Sequence, residues 1–194
     1  MPLPLDERPL IIALCGPNGA GKSTFHAAHL APAGLPFLNA DTLARQLGLD
    51  AYKARDLVAL YRDRLVQARA SFVFETVLSD PAGEKVEWLR RAADAGYHVV
   101  LIFIRLASAA HSDERVALRV LQGGHDVPAE KVRERFPRTL RNLARAIRRL
   151  PHVRIYDNSD LLAPYREVAT FDHGAPDRAK LPAWLAKLLA SPPD

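Results

Sequence analysis

The sequence predicts a three-layer α/β fold with a mainly parallel central sheet. Apolar β-type runs alternate with helical patterns from end to end. The central runs are almost continuously hydrophobic, as strands covered on both faces must be. At 194 residues the chain has the size of one such domain, so 1–194 is read as a single unit. Hydrophobic residues at 48% and charged residues at 25% give a globular balance. No apolar run approaches the ~20 residues of a membrane span, so no membrane is expected as a partner.

Taken in order, the first strand is expected over Pro9–Cys15 and a helix over Lys22–Leu30. Strands follow at Pro36–Asn39, Ser71–Glu75, His98–Ile104, Val153–Tyr156 and Glu167–Phe171. Helices are expected at Thr42–Leu47, Lys53–Ala70, Gly83–Ala95, Ser112–Leu121 and Pro128–Leu150. Proline is favoured at a helix start, so Pro128 suits that position, whereas Pro137 should kink or divide the long helix. Trp184, Leu185, Leu188 and Leu189 give Leu181–Leu189 one apolar side. The opening segment carries Asp6, Glu7 and Arg8 and does not read as a signal peptide. The single cysteine, Cys15, excludes an internal disulfide and fits a reducing compartment, hence an expected cytoplasmic localisation. Cys15 reads as a packed strand residue rather than a nucleophile.

Residues 16–24 read GPNGAGKST, directly after a strand and directly before a helix. The spacing Gly-x4-Gly-Lys-Ser is that of a phosphate-binding loop (Walker A). Glycines let backbone N–H groups turn around a phosphate, and the helix N-terminus adds a favourable dipole. Lys22 then reaches the β and γ oxygens of ATP, and the Ser23 hydroxyl is placed to ligate Mg2+. Gly16, Asn18, Gly19, Ala20, Gly21, Lys22, Ser23 and Thr24 are the expected nucleotide-binding residues of this loop. His26 and His29 lie one helical turn apart without a third ligand and read as surface or packing residues.

Two acids sit at strand C-termini, where open α/β sheets place their ligands: Asp41 in PFLNAD and Glu75 in SFVFET. Either suits a general base toward an acceptor hydroxyl or a carboxylate that organises magnesium. A plain N-cap for Asp41 and a structural pairing for Glu75 are the alternatives. Downstream, Arg115 and Arg119 share a helix face and GGHDVP (Gly123 to Pro128) leads into Arg133, Arg135 and Arg138. Hinge glycines flanked by arginines read as a lid at about 112–138 that closes on a triphosphate. YDNS (Tyr156 to Ser159) ends a strand where a nucleotide base would lie, or is a plain turn. The net charge is +5, and Lys131–Arg154 holds nine Lys or Arg against one acid, Glu134. Such a segment attracts phosphates of any kind.

GPNGAGKST, NADTLAR (Asn39–Arg45), FVFETVLSD (Phe72–Asp80), the arginine-flanked GGHDVP and YDNS together resemble the zeta-toxin family of P-loop kinases, in a short single-domain form. The resemblance implies ATP- and Mg2+-dependent phosphorylation of a nucleotide-sugar hydroxyl, that of UDP-N-acetylglucosamine in toxins of this type. By motif match Lys22 holds the phosphates, Ser23 the metal, and Asp41 is the catalytic base. Glu75 is a second metal-side residue, and Glu75, Thr76 and Ser79 join Asp41 on the acceptor side. Arg115 and Arg119 are the expected catalytic arginines, with Arg135 and Asn158 on the nucleotide. A separate antitoxin is a possible partner.

Two other readings stay open. One is a kinase of similar architecture for another acceptor, such as a nucleoside, a sugar or an antibiotic. The other is a nucleic-acid-linked ATPase using the basic stripe. Stacking aromatics are few there, with only Phe136 in the interval, so nucleic acid is not expected as a partner. LQGGH (Leu121–His125) is no transporter signature, since no hydrophobic strand ending in Asp follows, and no Asn-Lys-x-Asp motif marks a GTPase.

Overall fold

Each of the first four strands hands the chain to helical structure that returns it to the same sheet, and this forces the first five strands to run parallel. The computed structural model describes residues 5–121, 123 and 127–191. The strands are β1 (Leu10–Cys15), β2 (Phe37–Leu38), β3 (Phe72–Thr76), β4 (His98–Arg105), β5 (His152–Asp157), β6 (Arg166–Asp172) and β7 (Ala175–Pro176). They lie in the order β2-β3-β1-β4-β5-β6-β7, and β6 and β7 close the far edge antiparallel. The two-residue β7 lies outside the expected strand set. Its Ala-Pro sequence carries no apolar run, and it exists because the turn at His173 and Gly174 folds it back on β6.

The central strands are hydrophobic on both faces because both faces are covered. Ile11, Ala13 and Cys15 of β1 join Val99, Leu101 and Phe103 of β4 in one core. That core is closed by α4 (Glu84–Asp94), α6 (Ala129–Arg149) and α7 (Ala183–Ala190), through residues such as Leu89, Leu143, Ile147 and Leu185. Leu10, Ile12 and Leu14 alternate to the opposite face with Val100, Ile102 and Ile104, under Phe25 and Leu30. Phe25 ends α1 (Lys22–Phe25), after which the chain widens into a π-helical turn, His26–Leu30, and then tightens into a 3-10 turn, Ala31–Ala33. The remaining helices are α2 (Ala40–Leu47), α3 (Ala51–Gln67) and α5 (Ala109–Leu121).

Boundaries differ from expectation in two places that matter for function. α2 starts at Ala40, two residues before the expected Thr42, because Asn39 supplies the N-cap: its side chain accepts the Thr42 N–H. Asp41 is therefore inside the first turn and is not the cap. α6 runs without division through Pro137, which lies on its exposed side with Arg133, the residue one turn earlier whose usual donor a proline lacks. Asn142 and Thr139, both buried on α6, turn their side chains to the loop after β3. Of the described residues, no helix is long and apolar enough to cross a membrane.

At the opposite end of the sheet from the glycine-rich loop, the rings of His98 and His152 stack at 4.6 Å, and Asp172 approaches His152 at 3.1 Å. Burial, followed by repulsion from His98, holds the His152 pKa below its usual 6.5, and burial does the same for His26. Around His152 the opposing charges are Asp172 on one side and His173 and Arg154 on the other. A depressed folded-state pKa means that the unfolded chain takes protons first. The stability from a neutral imidazole is thus complete above pH 6.5 and is lost as pH falls below it. The melting temperature is expected to fall by about 2–5 °C between about pH 7.5 and 5.5, and His152→Gln should flatten that slope. Thermal melts followed by circular dichroism check both.

Candidate active site

The loop connecting β1 to α1 is shaped by what it passes. A Cβ at Gly16 would run into the Ile104 carbonyl of β4, and Gly16 holds φ +144°, so no side chain is tolerated there. Gly19 lies against Ser112 and Arg115 of α5, and the Ser112 hydroxyl, fully buried, donates to the Asn18 carbonyl. Lys22 is 6% exposed and folds over the loop, donating to the carbonyls of Gly16 and Pro17 at 3.0 Å each. Ser23 and Thr24 are exposed in the first turn of α1.

One carboxylate gathers the surrounding donors. Glu75 pairs with Leu14 across the β1–β3 ladder, just short of the strand end at Thr76. Its side chain is 14% exposed and lies 3.7 Å from the Lys22 ammonium. The Ser23 hydroxyl donates to Glu75 Oε2 at 2.7 Å and the Asn39 amide donates to the same oxygen at 2.8 Å. Asn39 thus does two things: its carbonyl oxygen caps α2 and its amide ties that cap to β3. The tie anchors the start of α2 to β3, and Asp41 is exposed in that first helical turn, two residues after Asn39. Asn39 falls within the NADTLAR segment, where the sequence pattern assigns it no role. The Asn-x-x-Thr spacing of a helix cap is the signal that could have found it.

The acceptor-side candidates lie on a supported loop. The Thr76 hydroxyl accepts the Leu78 N–H. From α6, the Thr139 hydroxyl lies 3.0 Å from the Val77 carbonyl, and Asn142 donates to the carbonyls of Leu78 and Asp80 at 2.9 and 2.8 Å. Ser79 is held between them and is half-buried. Both α6 residues are further positions that sequence reasoning missed, because nothing in a helix pattern shows which carbonyls its polar side chains will meet.

The arginines divide. Arg115 donates to the Asn158 carbonyl at 3.0 Å and touches His111, beside the loop. Arg119 and Arg135 are half-buried on α5 and α6. α5 and α6 are joined by Arg133 and Asp113 at 2.9 Å. Of the hinge, Gly123 has φ +81°, while Gln122, Gly124, His125 and Asp126 lie outside the described residues. Asn158 is 4% exposed and donates to the Ala20 carbonyl at 2.9 Å, so it meets the loop backbone. The basic stripe is largely used within the fold: Arg133, Arg138, Arg145, Arg148 and Arg149 all bond to groups of this chain. Cys15 is fully buried and burial drives its thiol pKa up, which suits packing and not nucleophilic attack. His26 stacks on Phe37 at 3.6 Å.

A glycine-rich loop between the central strand and a helix, closed by a lysine and a hydroxyl, defines the class: an α/β protein with a P-loop. Residues 11–146 match the AAA domain family, and the chain belongs to that family. No curated protein matches the chain. Among solved structures, a chain of the AvrRxo1-ORF1:AvrRxo1-ORF2 complex with sulphate ions superposes with a TM-score of 0.73 at 19% identity, covering 95% of this chain. The same complex with ATP gives 0.72. This protein spans 64% of the length of those chains. A structure from the PezAT chromosomal toxin-antitoxin system of Streptococcus pneumoniae gives 0.53 at 18% identity, over 78% of this chain and 68% of that one. The fold is an α/β P-loop fold with a mostly parallel sheet.

Asn39→Ala removes the cap and one Glu75 donor together. Loss of an N-cap costs about 1 kcal/mol, and a buried carboxylate left short of a partner adds to it. A melting temperature lower by about 5 °C or more is expected for Asn39→Ala, against about 1 °C for Thr42→Ala, which keeps both bonds.

Proposed function

We propose that the protein transfers the γ-phosphoryl group of ATP, with Mg2+, to a hydroxyl of a small molecule. The acceptor we propose is the sugar of a nucleotide sugar such as UDP-N-acetylglucosamine. The observation that carries this reading is the cluster of Lys22, Ser23 and Asn39 on Glu75, with Asp41 in the helical turn that Asn39 caps. A P-loop alone binds nucleotide; a second carboxylate, exposed Asp41 in the first turn of α2, gives the acceptor hydroxyl a base.

The donor set fits magnesium. Ser23 Oγ and Glu75 Oε2 are hard oxygens 2.7 Å apart. Among the described residues no group of three or more His, Cys, Asp or Glu could hold a metal alone. Mg2+ takes one or two protein oxygens and completes its shell with phosphate and water. When bound it neutralises developing charge on the phosphate oxygens. Lys22 contacts the β and γ oxygens, with the N–H groups of Asn18, Gly19, Ala20 and Gly21 around them. Asp41 takes the proton of the acceptor hydroxyl, the acceptor oxygen–phosphorus bond forms, and the bond from the γ-phosphorus to the leaving ADP oxygen breaks. Arg115, Arg119 and Arg135 compensate charge on the transferring group. Thr76 and Ser79 line the acceptor side. A separate inhibitor protein is the partner this reading implies. Its support is the sequence resemblance, since similarity at this level of identity speaks to fold alone.

Incubating protein, ATP, Mg2+ and a panel of nucleotide sugars, sugars and nucleosides, with mass detection of products, tests the acceptor. A singly phosphorylated UDP-N-acetylglucosamine is expected, and a product only from another acceptor class would replace that assignment. Lys22→Ala and Asp41→Asn are each expected to lower transfer by about 100-fold or more. Near wild-type transfer by Asp41→Asn would remove the base from Asp41.

A further inference from the structure

The phosphate-binding loop works through backbone N–H groups, so its carbonyls must face away from the ligand. In a planar peptide the C=O of one residue and the N–H of the next point in opposite directions. Holding the carbonyl of Ala20 therefore aims the N–H of Gly21, and holding the carbonyl of Gly21 aims the N–H of Lys22. Both carbonyls are held by side chains from the segment after β5. Asn158 donates Nδ2 to the Ala20 carbonyl at 2.9 Å, and Tyr165 donates its hydroxyl to the Gly21 carbonyl at 2.9 Å. The Gly21 carbonyl also accepts the Phe25 N–H at 2.9 Å, the first bond of α1. Loop rotation is thus braced from the helix on one side and from Tyr165 on the other.

The surroundings are built for this bracing. Asn158 is 4% exposed, its own N–H donates to the Arg105 carbonyl at 3.0 Å, and its carbonyl accepts from Arg115. Every polar group of Asn158 with a bond in the structure is committed to protein, and its amide faces the loop from below. Tyr165 takes a left-handed backbone, φ +55°, which is uncommon for an aromatic residue. That conformation sets its ring edge-on to Phe25 at 5.3 Å and beside His29 at 6.0 Å, with the hydroxyl under the loop. Burial raises the phenol pKa, which keeps the hydroxyl a donor. A Cβ on Gly21 would come within 2.7 Å of the Tyr165 hydroxyl and 2.8 Å of the Asn158 amide. The clamp and the last loop glycine occupy one another's space, so Gly21 is fixed by the clamp as well as by its φ of +83°.

We propose that Tyr165 and Asn158 are positioning residues for the phosphate-binding loop: they aim the N–H groups of Gly21 and Lys22 at the β-phosphate by holding the carbonyls behind them. Neither touches the nucleotide. This rests on the nucleotide-binding half of the proposed function and is independent of the acceptor.

The test is isothermal titration of wild type, Tyr165→Phe and Asn158→Ala with Mg2+·ATP and with inorganic tripolyphosphate, which engages the loop without a base or sugar. Tyr165→Phe keeps the ring and removes one hydrogen bond, so affinity for both probes should fall by about 5- to 10-fold. Its melting temperature without ligand should stay within about 2 °C of wild type. Asn158→Ala should lose at least as much affinity. A residue that only packs would lower the melting temperature and leave affinity for tripolyphosphate unchanged in protein folded at the assay temperature. Wild-type affinity in folded Tyr165→Phe and Asn158→Ala overturns the proposal while nucleotide binding stands. A wild-type protein that binds neither ATP nor tripolyphosphate overturns both.

Discussion

The burial of one carboxylate governs this site. Glu75 lies on a strand packed between β2 and β1, with little of its side chain in water. A charge in that position is tolerated only with hydrogen-bond donors and a counter-charge around it. Lys22 and Ser23 supply them from the start of α1 and Asn39 from the cap of α2. The phosphate-binding loop, α1 and α2 are thereby brought to one point. Asn39 extends the effect because the amide that serves Glu75 belongs to the residue that starts α2.

Around this point the loops are held by side chains acting on backbone carbonyls. Thr139 and Asn142 of α6 secure the segment after β3, where Leu78 takes a left-handed φ of +60°. Asn158 and Tyr165 secure the phosphate-binding loop from the other side. α5 adds Ser112 on Asn18. The floor of the site is a parallel sheet whose strand ends would be loose without these contacts. Buried polar side chains with satisfied bonds give such loops a single arrangement, which a ligand site needs.

Much of the fold was legible because its signals are local and periodic. β1 and β4 are unbroken apolar runs, and GPNGAGKST carries its own chain geometry, so strands, helices and loop were placed within two or three residues. Glu75 was legible as a charge ending an apolar strand. What was not legible is long-range and one residue deep. Asn39 acts through Glu75, 36 residues away. Asn158 acts through Ala20, 138 residues away, and Tyr165 through Gly21, 144 away. No spacing rule connects such pairs; only the closed sheet does. Asp41 shows the same limit from the other side: its motif was visible, but its place inside the helix turn depended on Asn39 taking the cap.

In the proposed Mg2+·ATP site, Glu75 and Ser23 are the protein's share. Titrating ATP into wild type and Glu75→Gln, each with and without Mg2+, tests it most directly. Glutamine keeps the size of the side chain and can still accept from Ser23, but it removes the charge. Mg2+ is expected to tighten ATP binding to wild type by about 10-fold or more and to Glu75→Gln by about 2-fold or less. Equal Mg2+ dependence in the two proteins would contradict it.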